Sequence, residues 1–298
     1  VLFDDANART LGWARIWVFG LAAFSRVIFP LEEVTYLTDY TPVGFLELLG
    51  ARHWVPSITP AVAHGIQVAT IALLGAAAAG LRPFPLVAGA ACVAFTVSEG
   101  LMRGGGVIPH AHMCLLLSTY VLAFFPAADA VGAFPREDAS RAPRASYRGA
   151  LVAASLVFAL TYALAATRRL SVGAVGVYLD DSILVATATR DAEIALSGGW
   201  GVWASGHQIA GWMLRIGFPI VTLVELLSPL WLFSRWFRWG WIAVMVPFHL
   251  GTGLLMEIWF TYNLLLIPLL VAGWVPPPRG RRRGPRVGEI DDRIPPRA

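Results

Sequence analysis

The sequence predicts an all-α polytopic membrane protein: about eight transmembrane helices in one bundle, with both termini on the cytoplasmic side. Three observations predict it. First, 57% of the 298 residues are hydrophobic, only 14% are charged, and the mean hydropathy is +0.63. A soluble domain carries about 25% charged residues because it must cover its own surface. Second, the apolar residues gather into long runs. Third, the basic residues distribute unevenly between the segments that join those runs.

A helix needs about 20 residues at 1.5 Å each to cross the hydrocarbon core. Eight runs approach that length: 11–30, 58–80, 84–102, 108–127, 149–167, 209–233, 238–256 and 258–274. The first contains Arg15 and Arg26 and has no small-residue cleavage site after it, so it reads as a span, not a cleaved signal. Pro30, Pro83, Pro109 and Pro126 sit near run ends, where a missing N–H costs least. Pro219, Pro229, Pro247 and Pro268 lie inside runs and predict kinks, tolerated where neighbouring helices cover the freed carbonyls. The last two runs are almost contiguous, which predicts a tight turn near Glu257.

All 23 basic residues are Arg. With eight spans and an inner N-terminus, the inner segments hold Arg82, Arg136, Arg141, Arg144, Arg148, Arg235, Arg238 and the Arg-rich tail. The outer ones hold Arg52, Arg103, Arg168, Arg169 and Arg190 beside acids such as Glu32, Asp39, Asp180 and Glu193. This is the asymmetry of the positive-inside rule. Residues 1–275 thus form the membrane domain, and 276–298 a basic, disordered cytoplasmic tail. The net charge of +4 is accounted for by that tail, which favours anionic lipid over nucleic acid. Two long outer segments, 31–57 and 168–208, predict interfacial or re-entrant pieces that cap the bundle. Trp231, Trp236, Trp239 and Trp241 predict an aromatic belt at an inner boundary.

Ionisable residues at membrane depth are expensive and usually face the bundle interior. On this topology Glu99, Arg103, His110, His112, Arg168, Arg169, His207, His249, Glu257, Tyr262 and Asn263 all fall toward the outer side. His110 and His112 are two apart and point in different directions on a helix, with no third ligand at ligand spacing, so no metal site is expected. His249 lies well inside a run; a buried neutral His bonded to a carbonyl is as reasonable there as a catalytic one. Glu225 sits in mid-run as an interhelical tie, with Arg15, Arg26 or Arg215 as partners. Cys92 and Cys114 fall in apolar runs and read as small hydrophobes.

The residues Trp13-Ala14-Arg15-Ile16 through Arg26, His112-Met113-Cys114-Leu115 to Phe124-Phe125-Pro126, and Tyr162 to Leu170 occur in a suggestive order. Phe218-Pro219 to Glu225-Leu226 and Phe248-His249-Leu250 to Tyr262-Asn263 follow them. Together they resemble the transmembrane domain of the vitamin K-dependent γ-carboxylases and the wider group of horizontally transferred transmembrane (HTTM) proteins. The resemblance implies an outward-facing pocket, a reduced quinone (menaquinol or vitamin K-like) as cofactor, and His112 and His249 at the family's His positions. It places Arg169 where the family has a Lys base; a guanidinium stays protonated but can stabilise an oxyanion. The reading that follows is proton or redox chemistry on a quinol or lipid-like molecule, without glutamate carboxylation. His112, His249 and Arg169 are the catalytic candidates, and His110, Arg168, Glu99, Glu257 and Tyr262 the cofactor-binding ones. The alternative is a non-catalytic accessory subunit of a larger membrane complex. Expected partners are membrane lipids, a small hydrophobic ligand and other membrane subunits, not nucleic acid, in a bacterial inner membrane.

Overall fold

A computed structural model describes residues 3, 7–36, 53, 58–104, 110–134, 144–171, 181–194 and 198–273. The basic tail from 276 onward therefore lies outside the described residues, as do much of 37–57 and 172–180. The described residues are helical, with no strand among them, and six helices are long and apolar enough to cross a membrane. Two further apolar helices, His112–Ala123 and Thr261–Val271, are shorter. The architecture is that of a helical membrane protein.

Helix α1, Ala8–Ile28, starts at Asn7, whose side-chain oxygen accepts from the N–H groups of Arg9 and Thr10 at 3.0 Å each. That satisfies two of the donors a helix start leaves free. Its buried stripe runs through Leu11, Ala14, Arg15, Val18, Ala22, Ser25 and Arg26, while Trp13, Trp17, Phe24 and Val27 point outward. The polarity is inverted relative to a soluble helix: both guanidinium groups face the interior and large apolar side chains face out. A lipid surround dictates this, because a charge facing acyl chains finds no partner.

Helix α2, Pro60–Ala79, begins with Thr59 as cap and Pro60 in its first turn, and ends at Gly80 in the left-handed region at φ 71°. The Arg15 guanidinium packs against Gly80 and donates to the carbonyls of Ala78 (3.2 and 2.9 Å) and Ala127 (3.0 Å). The buried Arg15 thus neutralises carbonyls at a helix C-terminus, where a cation is favoured. Helix α3 spans Phe84–Gly104, α4 His110–Ala123 and α5 Arg144–Ser171. At 28 residues α5 is about 42 Å long. That exceeds the hydrocarbon thickness.

The segment expected to cap the bundle contains α6, Ser182–Ile194, and the short α7, Trp200–Gly206, of about two turns. They are tied by Val202 N–H to Asp191 Oδ2 at 2.9 Å and by Ser205 Oγ to the Leu184 carbonyl at 2.9 Å. Helix α8, Gln208–Leu226, carries Pro219 inside it. It ends before Pro229 and continues as a 3-10 turn, Ser228–Leu232. The proline expected to kink this span instead stops it. Helix α9, Arg235–Met256, keeps Pro247 inside it. The chain then reverses at Glu257, left-handed at φ 52°, where the sequence predicts the turn. The short α10, Thr261–Leu266, passes into a π-helical stretch, Ile267–Val271, with Pro268 in its first turn. The carbonyl of Leu270 accepts from Ser155 Oγ at 2.7 Å.

Helix α1 packs on α2, α4 and α5; α3 lies against α2 and α4; α4 also contacts α5 and α10. Helix α8 lies against α5, and α9 against α6, α7 and α8. One large core joins α1 to α5 with α8, α9 and α10. It corrects the expected aromatic belt. Trp231 and Trp241 are fully buried, and Trp241 meets Tyr162 edge-on at 5.1 Å and donates to Ser228 Oγ at 2.8 Å. Only Trp236 and Trp239 face outward.

Candidate functional site

Two polar clusters occupy the interior. The first joins α1, α3 and α4. Glu99 Oε1 accepts from Arg26 Nη2 at 2.8 Å and from His112 Nδ1 at 2.8 Å. Arg26 Nη1 donates to Ser98 Oγ at 3.1 Å, and Arg26 is also in contact with Met102. The Arg26 carbonyl accepts from Gln67 Nε2 at 2.6 Å, and Gln67 Oε1 accepts from the Leu31 N–H at 2.7 Å. Tyr262 from α10 closes the cluster with its ring edge-on to His112 at 4.7 Å. Arg26, Glu99 and His112 are all buried, at 0%, 2% and 3%. Arg26 Nη2 also lies 3.2 Å from His112 Nδ1, so the roles at that nitrogen follow the His112 tautomer.

The second cluster joins α5, α8, α9 and α10 around a cavity of about 450 Å³. Arg169 binds Glu225 with both arms, Nη1 to Oε2 and Nη2 to Oε1, the latter at 3.2 Å. Glu225 is buried, whereas Arg169 keeps 30% of its side chain accessible. His249 Nε2 and the Tyr162 hydroxyl lie 2.7 Å apart. Arg169, Glu225, His249, Tyr162, Asn263 and Cys114 all line the cavity. His249 Nδ1 and Asn263 Oδ1 are buried and have no hydrogen-bond partner among the described residues. A buried polar atom left unpaired costs about 1–3 kcal/mol.

Two of the three catalytic candidates, Arg169 and His249, therefore line one cavity. His112 does not line it: its ring is held in the first cluster, while the next residues, Met113 and Cys114, reach the cavity wall. The cofactor-binding candidates separate in the same way. Glu99 and Tyr262 belong with His112. Arg168 lines the cavity rim and is exposed. Glu257 forms the turn after α9 and lines neither site among the described residues. The His110 side chain lies outside the described residues.

Glu225 pairs with Arg169 and not with the three arginines considered from sequence. Arg15 is spent on carbonyls, Arg26 on Glu99, and Arg215 on Asp181. The partnership of Tyr162 with His249 carried a signal that sequence reading missed. Tyr162 precedes Arg169 by seven residues, two helical turns, and so lies on the same face of α5. Gln67 and Ser98 carried none beyond being polar in apolar helices.

No family model, curated protein or solved structure matches the chain. The chemistry is therefore read from the cavity itself. A fixed cation beside a Tyr–His pair suits a molecule with an oxygen that carries or develops negative charge. His249 Nε2 and the Tyr162 hydroxyl can each be the donor of their hydrogen bond, according to the His249 tautomer.

Proposed function

We propose that the chain is a membrane-embedded protein whose α5–α8–α9–α10 cavity binds a quinol or lipid-like molecule and exchanges protons with it. The observation that carries the reading is the cavity's pairing of Arg169–Glu225 with His249–Tyr162, beside two buried polar atoms, His249 Nδ1 and Asn263 Oδ1, that lack partners. A quinol's two hydroxyls are each donor and acceptor, so either can pair with His249 Nδ1 or Asn263 Oδ1. In this reading Nε2 of His249 faces the Tyr162 hydroxyl, the quinol O–H breaks, its proton passes to the free Nδ1 of His249, and the oxyanion left behind is held by Arg169.

The proposal includes the HTTM and γ-carboxylase resemblance, eight spans with both termini inside, and a bacterial inner membrane. It does not extend to glutamate carboxylation, because Arg169 stands in the Lys position and does not give up its proton at neutral pH. The test is binding of reduced menadione to the purified protein, with Arg169→Ala and His249→Ala beside it. Wild-type binding that each variant weakens at least tenfold is expected. Equal binding by all three proteins would remove the reading.

One observation favours the second reading, a non-catalytic subunit. The Arg169 fork is closed on Glu225, as a structural ion pair would be. Copurification of stoichiometric membrane partners with a protein that binds no quinol is what that reading expects.

A further inference from the structure

A second cavity lies on the other side of one aromatic pair from the site just described. It is a cleft of about 660 Å³ between α8 and α9, roofed by α6 and α7. Its volume falls in the range of ligand sites, about 300–1,000 Å³. Its walls are apolar side chains such as Ile183, Met213, Val221 and Leu255, with few polar groups.

The cleft and the polar cavity share a partition. Phe218 and Phe248 both line the cleft, and their rings meet edge-on at 6.1 Å. The Arg169 guanidinium, on the cavity side, lies 5.7 Å from the Phe218 ring. Phe248 is followed by His249 of the cavity, their rings 5.4 Å apart. On α8, Val221 faces the cleft and Glu225, one turn on, faces the cavity. At the other end the lining residues Ile209 and Met213 are exposed, so the cleft runs out onto the apolar outer surface. Gly217 and Gly251 line the cleft, and a Cβ added at either meets nothing within 4 Å. The floor is open.

We infer that the cleft holds a single aliphatic tail, isoprenoid or fatty, of an amphiphile whose head occupies the Arg169–His249 cavity and which enters sideways from the bilayer between α8 and α9. This rests on the proposed ligand class and adds its tail, its path and its orientation. The occupant is committed by the gradient: charge and hydrogen-bonding groups at one end, hydrocarbon walls along the other, a lipid-facing mouth beyond. A tail leaving the bilayer for this cleft exchanges one apolar surround for another, so the cleft adds little hydrophobic affinity. It supplies room. Filling it must therefore hurt tailed ligands and spare tail-less ones.

The test uses the full chain in phosphatidylcholine nanodiscs, with binding corrected for partition into protein-free nanodiscs. The probes are reduced menadione, which has no tail, a reduced menaquinone with several isoprene units, and oleate. The variants are Gly217→Phe, Gly251→Leu as a milder filler should the first not fold, and Arg169→Ala. The inference expects a filled cleft to weaken at least one tailed probe tenfold or more while menadiol binding stays within twofold. Whichever tailed probe is lost identifies the source of the tail. Arg169→Ala weakens every probe that binds. If folded, cleft-filled variants bind both tailed probes as the wild type does, the tail lies elsewhere and the inference is overturned, with the head site intact. If menadiol binding is absent or indifferent to Arg169, the functional reading itself fails, and this inference with it.

Discussion

The two polar clusters contain the same kinds of residue, an Arg, a Glu and a His, yet their surroundings differ. In the Arg26–Glu99–His112 cluster a single carboxylate oxygen contacts both Arg26 and His112, and every member is sealed from solvent. In the Arg169–Glu225 and His249–Tyr162 cluster the partners line a cavity, and Arg169 remains partly accessible. The first cluster is sealed among helices, whereas the second ion pair, though forked and complete, borders a cavity that a ligand could enter. Residue type alone does not separate a tie from a site; access does.

That difference sets the sizes of the expected effects. The largest belongs to Glu99→Gln, which keeps the shape but leaves Arg26 buried without its counter-charge. Removing one member of a buried pair costs about 3–5 kcal/mol. Denaturant titration in detergent should show a loss of that size, and a loss below about 1 kcal/mol would put the first cluster among the adaptable sites.

Arg169→Ala is expected to cost less in stability, about 2 kcal/mol for the carboxylate it strands. It should cost more in ligand binding, at least tenfold by calorimetry with menadiol. An inverted outcome, with Glu99→Gln abolishing binding in a still-stable protein, would exchange the roles of the two clusters.

Gly80→Ala tests the structural side of the comparison at a third polar anchor. Gly80 is left-handed, and an added Cβ would meet Arg15 Cζ at 2.8 Å. A loss of at least about 1–2 kcal/mol is expected from the backbone alone. The smallest effect has the opposite sign. Glu257 occupies a left-handed helix end that Gly prefers, so Glu257→Gly should stabilise by about 1 kcal/mol and leave menadiol binding unchanged. Lost binding would return Glu257 to the site.

The helices were legible in the sequence because a membrane span is a one-dimensional signal. The run 11–30 became Ala8–Ile28, 58–80 became Pro60–Ala79, and 238–256 became Arg235–Met256. The turn at Glu257 followed from two runs too long to be one span. Partnerships were less legible, because they depend on how each helix is rotated and crossed. Nothing in the local sequence of Glu225 distinguishes Arg169 from Arg15, Arg26 or Arg215. Trp231 and Trp241 depart from the expected belt for the same reason: tryptophans near a run's end serve as interface anchors or as core, and here Trp241 packs on Phe158 and Tyr162 while Trp231 packs on Trp241. His112 and His249 both looked like buried functional histidines. Only the cavity separated them.

The central claim is that the space between Arg169, Glu225, His249 and Tyr162 is where a ligand sits. A cryo-EM structure of the full chain in nanodiscs loaded with a long-tailed menaquinol tests it most directly. The account predicts ring density between Arg169 and His249, with the tail passing Phe218 and Phe248 toward the bilayer. Ring density beside His112 and Glu99, or an empty cavity at saturating ligand, would contradict it.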